Sequence, residues 1–177
     1  MLKRVFDIFL SIILLISLSP LFVFISIIII IIDGKPIFFK QERPGYKEKL
    51  FTIIKFRTMS NPITNKNKTS DDHKRLTKLG RWLRKTSIDE LPSLVNIIKG
   101  EMSFIGPRPL LTKYLPLYSR DQARRHDVRP GLSGLAQING RNLLSWEDRL
   151  NYDIYYVDNN NLFLDIEIFF KTILLVI

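Results

Sequence analysis

The sequence predicts a membrane-associated α+β protein, mainly helical with a small β element. Three observations carry that expectation. Residues 8–32 are 25 consecutive positions without a charge, mostly Ile, Leu and Phe, and a membrane helix needs about 20 apolar residues. The stretch K49-L-F-T-I-I-K-F-R-T-M59 alternates partly and is rich in β-branched residues, as a strand does. Segments 72–85 and 162–177 read as interfacial amphipathic helices. At 177 residues, 46% hydrophobic and 25% charged, the chain suits one functional domain in three parts: 1–32, a membrane helix; 33–161, a soluble-type body; and 162–177, a C-terminal helix.

The first helix carries S17-L-S-P20 near its middle. A proline there removes a backbone hydrogen bond and kinks the helix at Ser19–Pro20, and serine hydroxyls can satisfy the carbonyl left open. Each arm of about 12 residues spans roughly 18 Å, against a hydrocarbon core of about 30 Å. A straight helix crosses such a core; a sharply bent one enters and leaves by the same face. Lys3 and Arg4 precede the run, and Lys35, Lys40, Arg43, Lys47 and Lys49 follow it. The positive-inside tendency favours both flanks on the cytoplasmic side, which only a re-entrant hairpin gives. Residue chemistry alone leaves re-entry and spanning both open. The run is too long for a cleavable leader, and no A-x-A-like site follows it.

Along the body, 49–59 is the expected strand, and the polar N61-P-I-T-N-K-N-K-T-S70 is expected to be a mobile loop. In D72-H-K-R-L-T-K-L-G-R-W-L-R-K85, Leu76, Leu79 and Leu83 line one face and basic residues, Arg84 among them, surround it. Trp82 suits a membrane boundary. Pro92 to Lys99 fits a short helix ended by Gly100. Loops containing P107-R-P109 and R129-P-G-L-S-G-L-A-Q-I-N-G-R141 follow, then a helix over Trp146–Tyr156 and the apolar helix 162–177.

Charge narrows the partners. Residues 33–161 hold 24 basic and 14 acidic side chains, the whole +10 of the protein. Such a surplus favours lipid headgroups, nucleic acid or phosphorylated substrates. No recognition helix or aromatic stacking platform is visible, so no nucleic-acid partner is expected. The absence of cysteine excludes thiolate nucleophiles and thiolate metal sites.

The stretch T86-S-I-D-E-L-P92 puts two carboxylates, Asp89 and Glu90, at a helix start. Ser87 and Glu90 fit a capping box. With Leu91 as the cap instead, Pro92 takes the first helical position and the acids precede the helix. Either way the helix end and nearby cations favour an ionised Asp89. An ionised aspartate can attack phosphorus or ligate Mg²⁺; it can also simply cap a helix.

The run D89-E-L-P-S-L-V-N-I-I-K-G-E-M-S-F-I-G-P-R-P-L-L111 resembles the signature of the bacterial sugar transferases, the small monotopic phosphoglycosyl transferases. So do Q41-E-R-P-G45, K55-F-R-T-M59 and H126-D-V-R-P-G-L-S-G-L-A-Q-I-N-G-R-N142, in the family's order across essentially the whole chain. The resemblance implies a minimal catalytic form whose body is cytosolic, at the cytoplasmic face of the bacterial inner membrane, with a monotopic re-entrant helix. It implies transfer of a sugar phosphate from a UDP-sugar to undecaprenyl phosphate by a ping-pong route, releasing UMP. Asp89 would be the nucleophile, with Mg²⁺ held by Asp89 and Glu90; Glu90 would ligate the metal or shape Asp89.

Cations suit two anionic substrates. Arg108, stiffened between Pro107 and Pro109, would hold phosphate bidentately. Lys55 and Arg57 would share a strand face and contact phosphate or pair with acids. Arg84 joins this substrate-binding set. Arg129 and Arg141 flank a Gly-rich loop, including Gly131, whose amides can approach a nucleotide, with Gln137 and Asn139 reading polar edges. His126 is a lesser acid–base candidate. An oligomer is compatible with all of this.

Overall fold

A computed structural model describes residues 2–60, 75–140 and 143–176. The expected loop 61–70, the first part of the helix expected from Asp72, and Arg141 lie outside these residues.

The apolar N-terminal run is two helices, α1 (Leu2–Ser17) and α2 (Ser19–Asp33), bent by 61° at Leu18. Pro20 sits in the first turn of α2, where its missing N–H matters least. Helical bonding would have pointed that N–H at the Ile16 carbonyl. The Ser19 hydroxyl donates to that oxygen instead at 2.8 Å, and the Ser17 hydroxyl donates to the Leu14 carbonyl at 3.3 Å. The Ser-Pro element therefore bends the chain without leaving the carbonyl open. No single helix among the described residues is long and apolar enough to cross a membrane.

Both ends of the bent pair are tied to the body. At the start of α1, Arg4 donates to the carbonyls of Ile97 (2.6 Å) and Ile98 (2.9 Å), and Lys3 pairs with Asp165 at 2.5 Å. Asp7, buried, accepts from the Ser103 hydroxyl at 2.8 Å. At the end of α2, Arg57 donates to the carbonyls of Asp33, Gly34 and Lys35. The middle of the pair carries exposed apolar side chains such as Phe9, Ile13, Ile16 and Phe24.

The body opens with a β-hairpin. β2 (Leu50–Phe56) is the expected strand, with Phe51 and Ile53 buried at period 2. Its antiparallel partner β1 (Phe38–Pro44), paired from Phe38↔Phe56 to Pro44↔Leu50, is not among the expected elements. F38-F-K-Q-E-R-P44 mixes charges with a proline, which weakens a strand signal read from one sequence; the edge position tolerates both. Of the helix expected over 72–85, α3 (Lys78–Lys85) is the continuous described part, and Leu76 and Thr77 before it are not helical. Thr77 caps it by accepting from the Gly80 N–H at 2.9 Å, while Leu76 bridges to Met59.

The helix expected from Pro92 is also revised. Residues Ile88–Ser93 form a tight 3₁₀ turn that contains Pro92, and α4 (Leu94–Lys99) follows, ended by Gly100 in the left-handed region at φ 88°. β3 (Ser103–Ile105) and β4 (Gly131–Ser133) are short parallel neighbours. Between them a 3₁₀ segment (Thr112–Leu117) and α5 (Arg120–Ala123) intervene. α6 (Leu135–Ile138), α7 (Trp146–Asn159) and α8 (Leu162–Val176) complete the chain, α7 and α8 matching expectation. One core gathers Phe51, Ile53, Leu94, Ile97, Met102, Phe104, Tyr156 and Ile168; a second joins Ile25 and Ile29 of α2 to Phe56 and Leu83.

Candidate active site

The site is built on the 3₁₀ turn, which β2 holds in place. Strand β2 pairs with β1 along one edge and leaves the other needing partners. Two side chains from the turn and α4 supply them. The Ser93 hydroxyl donates to the Ile54 carbonyl at 2.8 Å, and the Asn96 amide nitrogen donates to Thr52 O at 2.8 Å and to Glu101 at 2.6 Å. The Asn96 amide oxygen accepts from the Ile54 N–H at 3.1 Å. Both side chains are fully buried. Their signal was in the sequence: polar residues three apart inside the apolar S93-L-V-N-I-I-K99.

Neither anticipated cap forms. Ser87 is left-handed at φ 56° and makes no side-chain cap; its carbonyl accepts from the Glu90 N–H at 3.2 Å. This tight turn delivers both acids, with Asp89 buried and Glu90 nearly so. Glu90 is bound by two cations. The Lys55 ammonium and the Arg108 guanidinium donate to its Oε1 at 2.6 and 2.7 Å. Burial alone would raise its pKa, but Arg108 and Lys55 outweigh burial and hold it at about 2. Asp89 accepts no hydrogen bond among the described residues and titrates the other way. Burial pushes it up to about 6, the Glu90 charge adds to this, and Lys55, Arg84 and Arg108 pull it only partly back. Asp89 is thus still ionised at neutral pH, as expected, but its pKa is raised rather than lowered: the 3₁₀ turn is short, and burial outweighs the nearby cations.

The P107-R-P109 segment is fixed from behind, one carbonyl at a time. Pro107 O accepts from the Gly131 N–H at 3.0 Å. Arg108 O accepts from Arg125 at 2.8 Å, and Pro109 O from Arg43 at 3.4 Å. Arg125 is buried and pairs with buried Asp153 of α7 at 2.7 Å. Gly106 and Gly131 allow the loops to touch, since a β-carbon on Gly131 would lie 2.2 Å from the Gly106 nitrogen. The Arg108 side chain, half-exposed, is thereby aimed at Glu90.

The structure brings together Lys55, Arg84, Asp89, Glu90 and Arg108. Arg84 also donates to the Thr58 hydroxyl at 3.0 Å. Several other predicted binding residues stand elsewhere. Arg57 is buried against the carbonyls ending α2, so the shared-face expectation with Lys55 fails just past the end of β2. Arg129 donates to Gly100 O at 2.8 Å and lies over the Tyr46 ring. Gly131 serves backbone packing rather than an open amide cradle. Gln137 donates to Leu132 O and Asn139 to Leu135 O, both local. His126 is buried against Gly45 O, and burial and Arg125 lower it to about 4, so it is neutral. Arg43, Ser93, Asn96, Arg125 and Asp153 were not singled out as site residues; the Arg125–Asp153 pair spans 28 positions and leaves no local trace.

Comparison with known proteins agrees with this layout. A family model described as "Bacterial sugar transferase" matches residues 1–177. An uncharacterized sugar transferase, EpsL, of Bacillus subtilis is 51% identical over 97% of this chain and 85% of its own length. The exopolysaccharide production protein ExoY of Sinorhizobium fredii is 42% identical, over 97% of this chain and 83% of its own. The undecaprenyl-phosphate galactose phosphotransferase of Salmonella typhimurium is 39% identical over 97% of this chain, which spans 39% of that larger protein. With its whole length matched and its acidic pair set among cations, the chain belongs to the bacterial sugar transferase family.

Proposed function

We propose that the protein transfers a sugar-1-phosphate from a UDP-sugar to undecaprenyl phosphate in two half-reactions at Asp89. First, an Asp89 carboxylate oxygen attacks the β-phosphorus. The P–O bond to UMP breaks, and UMP leaves with the bridging oxygen and its electron pair. Next, a phosphate oxygen of undecaprenyl phosphate attacks the same phosphorus. The acyl-phosphate P–O bond then breaks, giving undecaprenyl-diphosphate sugar and restoring the carboxylate. The observation that carries this reading is a buried carboxylate with no hydrogen-bond partner among the described residues, within the field of three cations. At a pKa of about 6 it is largely ionised at neutral pH yet more basic than an ordinary aspartate. Lys55, Arg84 and Arg108 would hold the diphosphate and stabilise charge as the bonds exchange.

Mg²⁺ belongs to the same reading. Among the described residues no group of three or more acids and histidines would cage a metal. Asp89 offers open oxygens, while Glu90 is taken by Lys55 and Arg108. With that donor set, Asp89 would hold such an ion and Glu90 would shape the field around Asp89. When bound, such an ion neutralises diphosphate charge.

The bent helix pair would sit as a re-entrant hairpin in the cytoplasmic leaflet of the inner membrane. α3 and α8, with exposed Trp82, Phe163 and Phe170, would lie in the interface. UMP release from a panel of UDP-sugars with undecaprenyl phosphate tests the reaction. Wild type should release UMP with at least one sugar, and up to one UMP per enzyme without acceptor. Asp89→Asn should fold and release none; turnover surviving that change would overturn the assignment.

A further inference from the structure

We infer that Arg43 is a nucleotide-binding residue, a second guanidinium for the phosphate that leaves as UMP; this rests on the transferase reading above. Arg43 stands on β1 opposite Phe51, in Q41-E-R-P-G45, and nothing in the reaction so far uses it. Its hydrogen bonds are to neutral oxygens: the Gln41 amide at 2.6 Å and the Pro109 carbonyl at 3.4 Å, long for a charged donor. Among the described residues no carboxylate pairs with it, and its Nε is buried without a partner.

The neighbour on that side is Arg108. Burial lowers the pKa of Arg43, and the Arg108 charge lowers it further. Arg108 has Glu90 to neutralise it; Arg43 has no acid among the described residues. A half-buried cation beside a like charge is unfavourable until an anion arrives. The Pro109 contact ties Arg43 to the same loop that presents Arg108, so a phosphate chain held by Arg108 has a second guanidinium beside it. A nucleoside diphosphate has the matching chemistry, one phosphate for the Lys55–Arg108 end and the next for Arg43. Tyr114, in the 3₁₀ segment after this loop, packs its ring 4.9 Å from that of Trp146, so an aromatic surface stands on the Arg43 side.

UMP binding to the full-length protein in detergent is the test, read by calorimetry and by thermal shift, with Arg43→Gln and Arg43→Lys. Removing a charge-assisted contact should weaken UMP binding about tenfold to hundredfold in Arg43→Gln. Arg43→Lys should recover part of that loss. The melting temperature without ligand should hold or rise in Arg43→Gln, and kcat/KM for undecaprenyl phosphate, which reports only the second half-reaction, should stay within about twofold of wild type. UMP binding equal to wild type overturns the inference. So does a loss matched by a fall in unliganded melting temperature and an equal fall in kcat/KM for the acceptor, the pattern of a residue that only braces Pro109. UMP binding needs no turnover, so these outcomes stand apart from the transferase reading, which falls instead if wild type releases UMP from no UDP-sugar.

Discussion

Asp89 and Glu90 are adjacent carboxylates with opposite environments, and the difference comes from where the cations touch. Lys55 and Arg108 bond directly to Glu90, while Asp89 feels them and Arg84 only through space. With Asp89 at about 6, kcat/KM for UDP-sugar should rise about tenfold per pH unit below that value and level off above it, which a pH–rate profile checks. Glu90→Gln should move the midpoint down, because it removes a like charge from beside Asp89 and frees two cations to act on it. The same change strips two buried cations of their partner, so kcat and melting temperature should both fall. Stability has its own sign. The Asp89 pKa rises on folding from 3.8 to about 6, so folded protein binds the proton more tightly and stability falls as pH climbs through that window. Two units amount to about 3 kcal/mol. His126 opposes this, since folding lowers it from 6.5 to about 4 and its contribution rises with pH over nearly the same range. Urea unfolding of Asp89→Asn should therefore show a midpoint above wild type at pH 7 and a stability that climbs from pH 4 to 6.5.

At the scale of elements, the turn that carries the acids is stable because it completes a strand edge. Asn96→Ala removes contacts to both backbone groups of β2 and to Glu101, leaving buried groups unsatisfied, and should cost about 2–4 kcal/mol; Ser93→Ala, losing one bond, should cost about 1 kcal/mol, both read as ΔΔG of urea unfolding. Activity should fall in that order if the turn loosens before the fold is lost. These elements also show what a single sequence carries. The helix periodicity, the Ser-Pro break and the D89-E-L-P motif are local signals, and they located α1, α2, α7, α8 and the dyad. Positions depending on contacts across the chain were not legible. β1 is a strand because β2 pairs with it, and Arg57 turns away from Lys55 because the end of α2 lies there. The glycines around Gly131 read as a nucleotide cradle because close backbone approach looks the same in sequence whether the partner is a ligand or another loop.

The whole molecule is a bent apolar pair with both ends fastened to one body. Lys3, Arg4 and Asp7 at one end reach Asp165, the last carbonyls of α4 and Ser103; Arg57 and Thr77 hold the other end at Asp33 and Gly34. The dyad stands at the opposite end of the 88–99 segment from the carbonyls that Arg4 caps, so that segment links the N-terminal helix to the chemistry. A membrane-spanning arrangement would have to break the Lys3 and Arg4 contacts and expose Asp7, a buried carboxyl, at the far side. Because the chain contains no cysteine, single cysteines report position without background. Leu2→Cys and Lys35→Cys, both at exposed sites, should react with a membrane-impermeant maleimide in inside-out vesicles and resist it in intact cells. Labelling of Leu2→Cys from the outside, with Lys35→Cys labelled only from the inside, would replace the hairpin with a span. Straightening the pair with Ser19→Leu and Pro20→Leu together should push the protein toward that state: the Ile16 carbonyl regains a backbone donor, the bend loses its cause, and the Lys3–Asp165 pair must open. UMP release by that variant should fall, and its Leu2→Cys form should begin to label from the outside.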